Sequence, residues 1–189
     1  MCNAERFNRR ASSAKSKPDQ ILKALDLKSG QRVADIGAGG GYFTLRFAES
    51  VGTEGEVCAV DTDEENLAFI RRSAVAKKLN IIKLVRIAGD KIDLPNDFFD
   101  LIFFRNVYHH LENRVELMKA YQRKLKKDGR LAIIEYRPGG SIFSFHRLFG
   151  HHVPKEKIIY EMEKADFKKI EDFDFLPEQS FTIFQKNEL

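Results

Sequence analysis

A short apolar stretch, Arg32–Ile36 (RVADI), runs directly into Gly37-Ala38-Gly39-Gly40-Gly41, and helical periodicity resumes from Tyr42 to Val51. A strand, a glycine turn and a helix in that order belong to an open α/β sheet with parallel strands. Glycines let the backbone come close to a ligand, and the helix N-terminus offers unpaired N–H groups to an anion. Dinucleotide-binding proteins use a G-x-G-x-x-G turn in the same place, so the turn alone leaves two ligand classes open. Two residues separate them. Counted from Gly37 and Gly39, the third glycine position falls on Tyr42, where close helix–strand packing over a pyrophosphate would need Gly or Ala. Asp35, two residues before Gly37, would repel a pyrophosphate but suits an ammonium group.

The rest of the chain continues the alternation. Pro18–Leu27 carries a helical apolar stripe that ends at Ser29-Gly30. Glu56–Val60 reads as a strand that delivers Asp61, and an acidic helix start at Asp63-Glu64-Glu65 leads a helix to about Leu79. Ile82–Ala88 and the nearly all-apolar Phe99–Phe104 are further strands, the second expected to be covered on both faces. A helix is predicted over Glu112–Lys126, stopping at Asp128-Gly129, and Arg130–Tyr136 is a fifth strand. Lys155–Asp166 is helical. Lys168–Phe175 and Phe181–Gln185 follow as strands, and the turn between them is too short for a parallel crossover, so they must form an antiparallel hairpin.

Acidic and basic residues collect where these strands end. Asp61 can accept the hydroxyl protons of a ribose, and Asp90, in Ala88-Gly89-Asp90, can accept from an adenine amino group or simply cap a turn. Arg105, Asn106, Tyr108, His109 and His110 follow the fourth strand. His109 and His110 are candidates for proton transfer near neutral pH, or one packs while the other faces solvent.

Taken in order, D-I-G-A-G-G-G, A-V-D-T-D, A-G-D, F-D-L-I-F-F-R-N-V-Y-H-H-L and L-K-K-D-G-R-L-A-I-I-E resemble the motifs of class I S-adenosylmethionine-dependent methyltransferases. The match is to the small-molecule branch that includes the ubiquinone/menaquinone-biosynthesis methyltransferases, and it covers Pro18 to Glu135. The resemblance implies a Rossmann-like α/β fold with a seven-stranded sheet in the order 3-2-1-4-5-7-6, strand 7 antiparallel. It implies S-adenosylmethionine as cofactor and S-adenosylhomocysteine as product. It places Asp35, Gly37, Ala38, Gly39, Gly41, Asp61, Thr62, Gly89, Asp90 and Arg105 at the cofactor, and Asn106, His109 and His110 at the reacting groups.

The acceptor is narrowed by what is missing. Arg105-Asn106-Val107-Tyr108 stands where enzymes that methylate the amino groups of adenine or glutamine carry Asn/Asp-Pro-Pro-Tyr/Phe. No cysteine lies near the fourth or fifth strand to attack cytosine, and the cysteine set of arsenic methyltransferases is absent. A small-molecule acceptor remains. An RNA methyltransferase is the alternative, suggested by Arg6, Arg9, Arg10, Lys15 and Lys17 and a net charge of +4. A binding module that holds the cofactor without transfer is another. An NAD-dependent dehydrogenase ranks last, for the reasons at Tyr42 and Asp35.

With 189 residues, 43% of them hydrophobic, the chain fits one domain spanning 1–189. Residues 1–17 read as a solvated basic arm. Residues 137–153 combine Ile142, Phe143, Phe145, Leu148 and Phe149 with Arg137, His146 and Arg147, and read as a substrate lid or as an amphipathic helix covering the sheet edge. Cys2 and Cys58 are poor disulfide partners, and no segment spans a membrane or resembles a secretory signal, so a cytoplasmic location is expected. The histidines, His146, His151 and His152 included, match no standard metal spacing, and no metal is expected.

Overall fold

The computed structural model of the chain describes residues 2–87, 93–137 and 152–187. Its helices are α1 (Asn3–Ala11), α2 (Pro18–Leu25), α3 (Tyr42–Val51), α4 (Glu64–Ala76), α5 (Arg114–Gln122) and α6 (Lys155–Lys164). Its strands are β1 (Arg32–Ile36), β2 (Glu56–Asp61), β3 (Ile82–Arg86), β4 (Phe99–Arg105), β5 (Leu125–Tyr136), β6 (Phe167–Phe173) and β7 (Gln179–Lys186). Short 3-10 turns occupy Ala14–Ser16 and Tyr108–His110.

The strands form one sheet in the order β3-β2-β1-β4-β5-β7-β6, parallel except for β7, which runs antiparallel to both neighbours. The expected topology and the terminal hairpin are both present. Strand period two explains the layers. Ala34, Ile36, Ile102, Phe104, Leu131 and Ile133 pack on one face with Met118, Tyr121, Ile158 and Met162 from α5 and α6. Val33, Leu101, Phe103, Ala132 and Ile134 pack on the other with Ile21, Leu25, Phe47 and Val51 from α2 and α3. Burial on both faces is why β4 reads as a continuous apolar run.

Register brings the strand ends level. Asp35 pairs with Ala59 of β2 and Phe103 of β4, and Ile36 pairs with Val60 and Phe104. β1 therefore lies between strands reached by crossovers in opposite directions, the switch point at which open α/β sheets form a crevice.

Two expectations are corrected. The predicted helix Glu112–Lys126 ends at Gln122, and the chain is already in β5 at Leu125. Phe99 pairs with Leu125 but Leu101 pairs with Arg130, so Lys126–Gly129 bulge out of the ladder. The Lys126 ammonium bonds the Asp100 carboxylate at 2.8 Å, and a Cβ on Gly129 would lie 2.7 Å from the Phe99 carbonyl oxygen. These local contacts, invisible to helical periodicity, hold the strand there.

The second correction concerns the N-terminus. Within the supposed solvated arm, Asn3–Ala11 is a helix that buries Ala4 and Ala11. Asn8 fixes it to the glycine turn from both ends of its amide: Nδ2 donates to the Gly40 carbonyl at 2.8 Å, and Oδ1 accepts from the Tyr42 N–H at 3.1 Å. A side chain on Gly40 would collide with the Ala4 carbonyl, so the glycine permits the approach.

Past β4 the chain is anchored by Glu161 on α6. Its carboxylate accepts from the Tyr108 hydroxyl at 2.9 Å and, in a fork, from Arg114 Nε and Nη2 at 2.7 and 2.9 Å. The turn carrying His109 and His110 is thereby tied to α5 and α6.

Replacing Asn8 with Ala should undock α1, at ~1 kcal/mol for each bond lost. Amide exchange across Asn3–Ala11 is expected to accelerate about tenfold or more, with the sheet amides unchanged. Equal exchange in the variant would show that Asn8 does not hold the helix.

Candidate functional site

A cleft of about 780 Å³ opens beyond the carboxyl ends of β1, β2 and β4, within the size range of small-ligand sites. Its floor is the glycine turn. The Gly37 and Ala38 N–H groups donate to the Val60 carbonyl at 2.8 and 3.0 Å, which pins the turn to β2. Gly37 has φ of 69°, and a Cβ there would collide with Val107, so the turn and the segment after β4 meet at this residue. Phe7 of α1 packs over Gly39 and completes the wall.

Two carboxylates end adjacent strands inside the cleft. Asp35 is 4% exposed and accepts from the Thr44 hydroxyl at 2.6 Å. Burial pushes its carboxyl up to about 6; the Thr44 bond and the Arg105 charge pull down, and the nearby Asp61 pushes up. Asp61 Oδ2 accepts from the Gly39 N–H at 2.7 Å, and Oδ1 from the Asp63 N–H at 2.9 Å. Asp63 itself caps α4 by accepting from the Glu65 N–H at 2.8 Å.

Arg105 ends β4 and reaches the 3-10 turn that follows α1. Its Nη2 donates to Ser16 Oγ at 3.0 Å, and its guanidinium lies 5.4 Å from the Phe43 ring centre. Burial lowers its pKa, opposed by the charges of Tyr136, Asp35 and Glu135. Its Nε is buried and has no hydrogen-bond partner among the described residues. Asn106, in the left-handed region at φ of 56°, also lines the cleft; its Oδ1 accepts from Gln179 Nε2 at 2.5 Å.

The histidines differ. The His109 side chain is 6% exposed, and its Nδ1 lies 2.9 Å from Oε1 of the fully buried Glu135. The other Glu135 oxygen accepts from the His109 N–H at 3.2 Å. His110 is exposed, its ring centre 4.0 Å from that of His109, and both line the cleft.

Asp35, Gly37, Ala38, Gly39, Asp61, Thr62, Arg105, Asn106, His109 and His110 thus share one cleft. Gly41 does not line it. It is buried against Ile70 of α4 at φ of 76° and starts α3, so Gly40 takes its expected place on the wall. Gly89, Asp90 and most of the lid segment 137–153 lie outside the described residues. Sequence reasoning missed Phe7, Asn8 and Arg10, whose polar segment shows no apolar run, and Thr44, Glu135 and Tyr136. Glu135 had a signal: like Asp35, it is an acid at the end of an apolar strand.

A glycine turn between a parallel strand and a helix, with a buried carboxylate ending each of two neighbouring strands, defines an open α/β protein that takes its ligand at the strand ends. Comparison with known proteins specifies which. A family model described as a methyltransferase domain matches residues 27–174. The uncharacterized methyltransferase YcgJ of Bacillus subtilis is 28% identical over 116 residues, 61% of this chain and 45% of that protein. The ubiquinone/menaquinone biosynthesis C-methyltransferase UbiE of Pseudomonas paraeruginosa is 29% identical over 125 residues, 65% of this chain and 49% of that protein. The chain therefore spans about half the length of the curated relatives it matches. A crystal structure of a SAM-dependent methyltransferase from Aquifex aeolicus superposes with a TM-score of 0.84 at 20% identity, covering 97% of this chain and 98% of that one. The chain belongs to the methyltransferase-domain family, in the class I S-adenosylmethionine-dependent group related to the ubiquinone/menaquinone C-methyltransferases.

The residues present fit the cofactor that this family implies. Burial holds Asp35 above its usual range despite the Arg105 charge, and the ligand's ammonium would offset that burial. The orphaned Nε of Arg105 marks a donor still in want of an acceptor.

Asp35 also makes a prediction that needs no ligand. Its folded value of about 6 stands above the ordinary 3.8, so the folded chain holds a proton that the unfolded chain has released. The stability this adds is complete below pH 3.8 and lost as pH rises through 6. Asp35→Asn escapes the loss. Its stability relative to wild type should rise between pH 4 and pH 7 by on the order of 3 kcal/mol in denaturant titrations. A difference that is flat with pH would contradict the buried, proton-holding carboxylate.

Proposed function

We propose that the chain transfers a methyl group from S-adenosylmethionine to a small-molecule acceptor. One observation carries the reading: Asp35 and Asp61, buried at the ends of adjacent parallel strands, flank the glycine turn within a single cleft. The cofactor, when bound, supplies a methyl group on a sulfonium that passes in line to a nucleophile.

The chain's residues supply position and charge. Asp35 pairs with the ammonium of the methionine moiety, and Arg105, close enough to feel the Asp35 charge, is the cation available to the carboxylate beside it. Asp61 and Thr62 take the ribose hydroxyls, and the floor from Gly37 to Gly40 lets the ligand lie against the backbone. Phe7 and Asn8 close the cleft from above, excluding water from the donor. Asn106, His109 and His110 face the acceptor, and the assignment of catalytic roles to them belongs to this proposal.

The cleft's dimensions suit a small molecule, and the exposed Arg6, Arg9 and Arg10 of α1 are the feature an RNA substrate would use. No helix among the described residues is long and apolar enough to cross a membrane. With Cys2 and Cys58 both free thiols, we assign the chain to a reducing, cytoplasmic setting.

Incubation of the chain with methyl-labelled S-adenosylmethionine and a metabolite extract should place label in a small molecule. Asp61→Ala should weaken S-adenosylhomocysteine binding about tenfold to a hundredfold, from ~1–3 kcal/mol of unsatisfied polar groups. Label in RNA alone would select the RNA reading. Binding of NAD in place of S-adenosylhomocysteine, or unaltered affinity in the variant, would refute the cofactor site.

A further inference from the structure

We infer that Arg10 of α1, held beside Arg105 at the cleft wall, binds an oxyanion on the methyl acceptor, so that the acceptor is a small molecule bearing a carboxylate or a phosphate. The inference rests on the methyl-transfer reading and narrows its substrate class.

A single hydroxyl brings the two arginines together. Ser16 Oγ donates to the Arg10 carbonyl at 2.6 Å and accepts from Arg105 Nη2 at 3.0 Å. Ser16 is buried, so the 3-10 turn after α1 is fixed to the end of β4 and carries Arg10 there with it. Among the described residues, Arg10 is the one of the three α1 arginines that lines the cleft. Tyr136, which ends β5 and also lines the cleft, marks where its charge goes. Burial pushes the Tyr136 hydroxyl up, and the charges of Arg105 and Arg10 both pull against that, so both charged ends lie within reach of this hydroxyl.

Charge is therefore sorted across the cleft. β2, β1, β4 and β5 are neighbours in that order, and they end in Asp61, Asp35, Arg105 and Tyr136. Asp35 feels the Arg105 cation, whereas Tyr136 feels both arginines. The acids thus stand at the β1 and β2 end of the row and Arg10 at the β5 end. The cofactor uses the first three groups: the ribose falls to Asp61, the ammonium to Asp35 and the carboxylate to Arg105. Arg10 is left over, one cation more than the cofactor needs.

The carboxylates on this side are engaged by the chain itself. Glu135 accepts from the Tyr136 N–H at 2.8 Å and lies 2.9 Å from His109 Nδ1. Glu178, which also acts on the Tyr136 hydroxyl, faces Lys15 at 3.6 Å. A cation at a cleft wall draws an anionic ligand, and a guanidinium fork matches the two oxygens of a carboxylate or phosphate. The wall beside it is aromatic, with the Phe43 and Phe103 ring centres 5.2 Å apart, and suits a ligand with a flat body.

The test uses the full chain saturated with S-adenosylhomocysteine, which occupies Arg105. Benzoate and phenyl phosphate are the probes, and benzamide is the uncharged control. Calorimetry should show one oxyanion binding about tenfold or more tightly than benzamide, and the tighter of the two tells carboxylate from phosphate. Arg10→Ala should weaken that probe about tenfold or more, with S-adenosylhomocysteine affinity held within about twofold. Replacing Arg6 and Arg9 together with Ala should leave probe affinity in place. If Arg10→Ala loosens α1, the wild-type protein decides: NMR with 15N-arginine should show the probe shifting the Arg10 side-chain signal and not those of Arg6 and Arg9. Binding of benzamide as tight as either oxyanion, no binding of either oxyanion, or probe affinity unchanged in Arg10→Ala overturns the inference. So does an equal loss in the Arg6 and Arg9 variant, which would mean attraction to the helix surface, or a loss of S-adenosylhomocysteine in Arg10→Ala, which would give Arg10 to the cofactor. A chain that binds the probe through Arg10 but does not bind S-adenosylhomocysteine keeps the anion site and loses the methyl-transfer reading.

Discussion

The glycine turn is the point on which the rest of the structure depends. Its Gly37, Ala38 and Gly39 N–H groups are spent on β2, through the Val60 carbonyl and the Asp61 carboxylate. The Asn8 amide clamps α1 to it at Gly40 and Tyr42. Val107, just past β4, packs where a side chain on Gly37 would stand, and Ile70 of α4 packs against Gly41. A larger residue at Gly37 or Gly40 would push out a neighbour from another element, so the sequence of the turn sets the position of every wall of the cleft. Tyr42, which argued against a dinucleotide, is the residue whose N–H receives α1.

Charge is arranged against the average of the molecule. The chain carries a net +4, yet among the described residues the charged ones lining the cleft are Asp35, Asp61, Asp63 and Glu112 against Arg10 and Arg105. A local excess of carboxylates in a basic protein favours a ligand bearing positive charge, and the implied cofactor has both an ammonium and a sulfonium. The buried acids do not share one role. Asp35 is held above its ordinary range by burial and, among the described residues, has a single side-chain donor, Thr44. Glu135, equally buried, is met by backbone N–H groups and an imidazole. Two carboxylates at the ends of β1 and β5 thus have different surroundings, Asp35 a hydroxyl and Glu135 backbone N–H groups and an imidazole.

Much of this was legible in the sequence. Strand and helix alternation fixed the parallel sheet, and the short connection after Phe173 required the antiparallel hairpin, because both depend on periodicity and loop length. Asp35, Asp61 and the glycines were found because acids and glycines at strand ends are conspicuous against apolar runs. The parts that were hidden depend on contacts between distant residues. Asn3–Ala11 is polar and reads as an arm; it is a helix in place because one asparagine matches a carbonyl and an N–H thirty-odd positions away. The early start of β5 depends on Lys126 meeting Asp100 and on the space at Gly129. His109 and His110 are adjacent in sequence, and the reading that one packs while the other faces solvent could not say which. Only the packing of the turn onto Glu135 separates the buried ring from the exposed one.

The central claim is that this cleft is a cofactor site whose walls are set by the glycine turn. A crystal structure of the chain with S-adenosylhomocysteine tests it most directly. The ribose hydroxyls are expected on the Asp61 carboxylate, the ammonium on Asp35, and α1 closed over the ligand with Asn8 still bonded to Gly40. A ligand bound elsewhere, or bound here with neither Asp35 nor Asp61 in contact with it, would contradict the account.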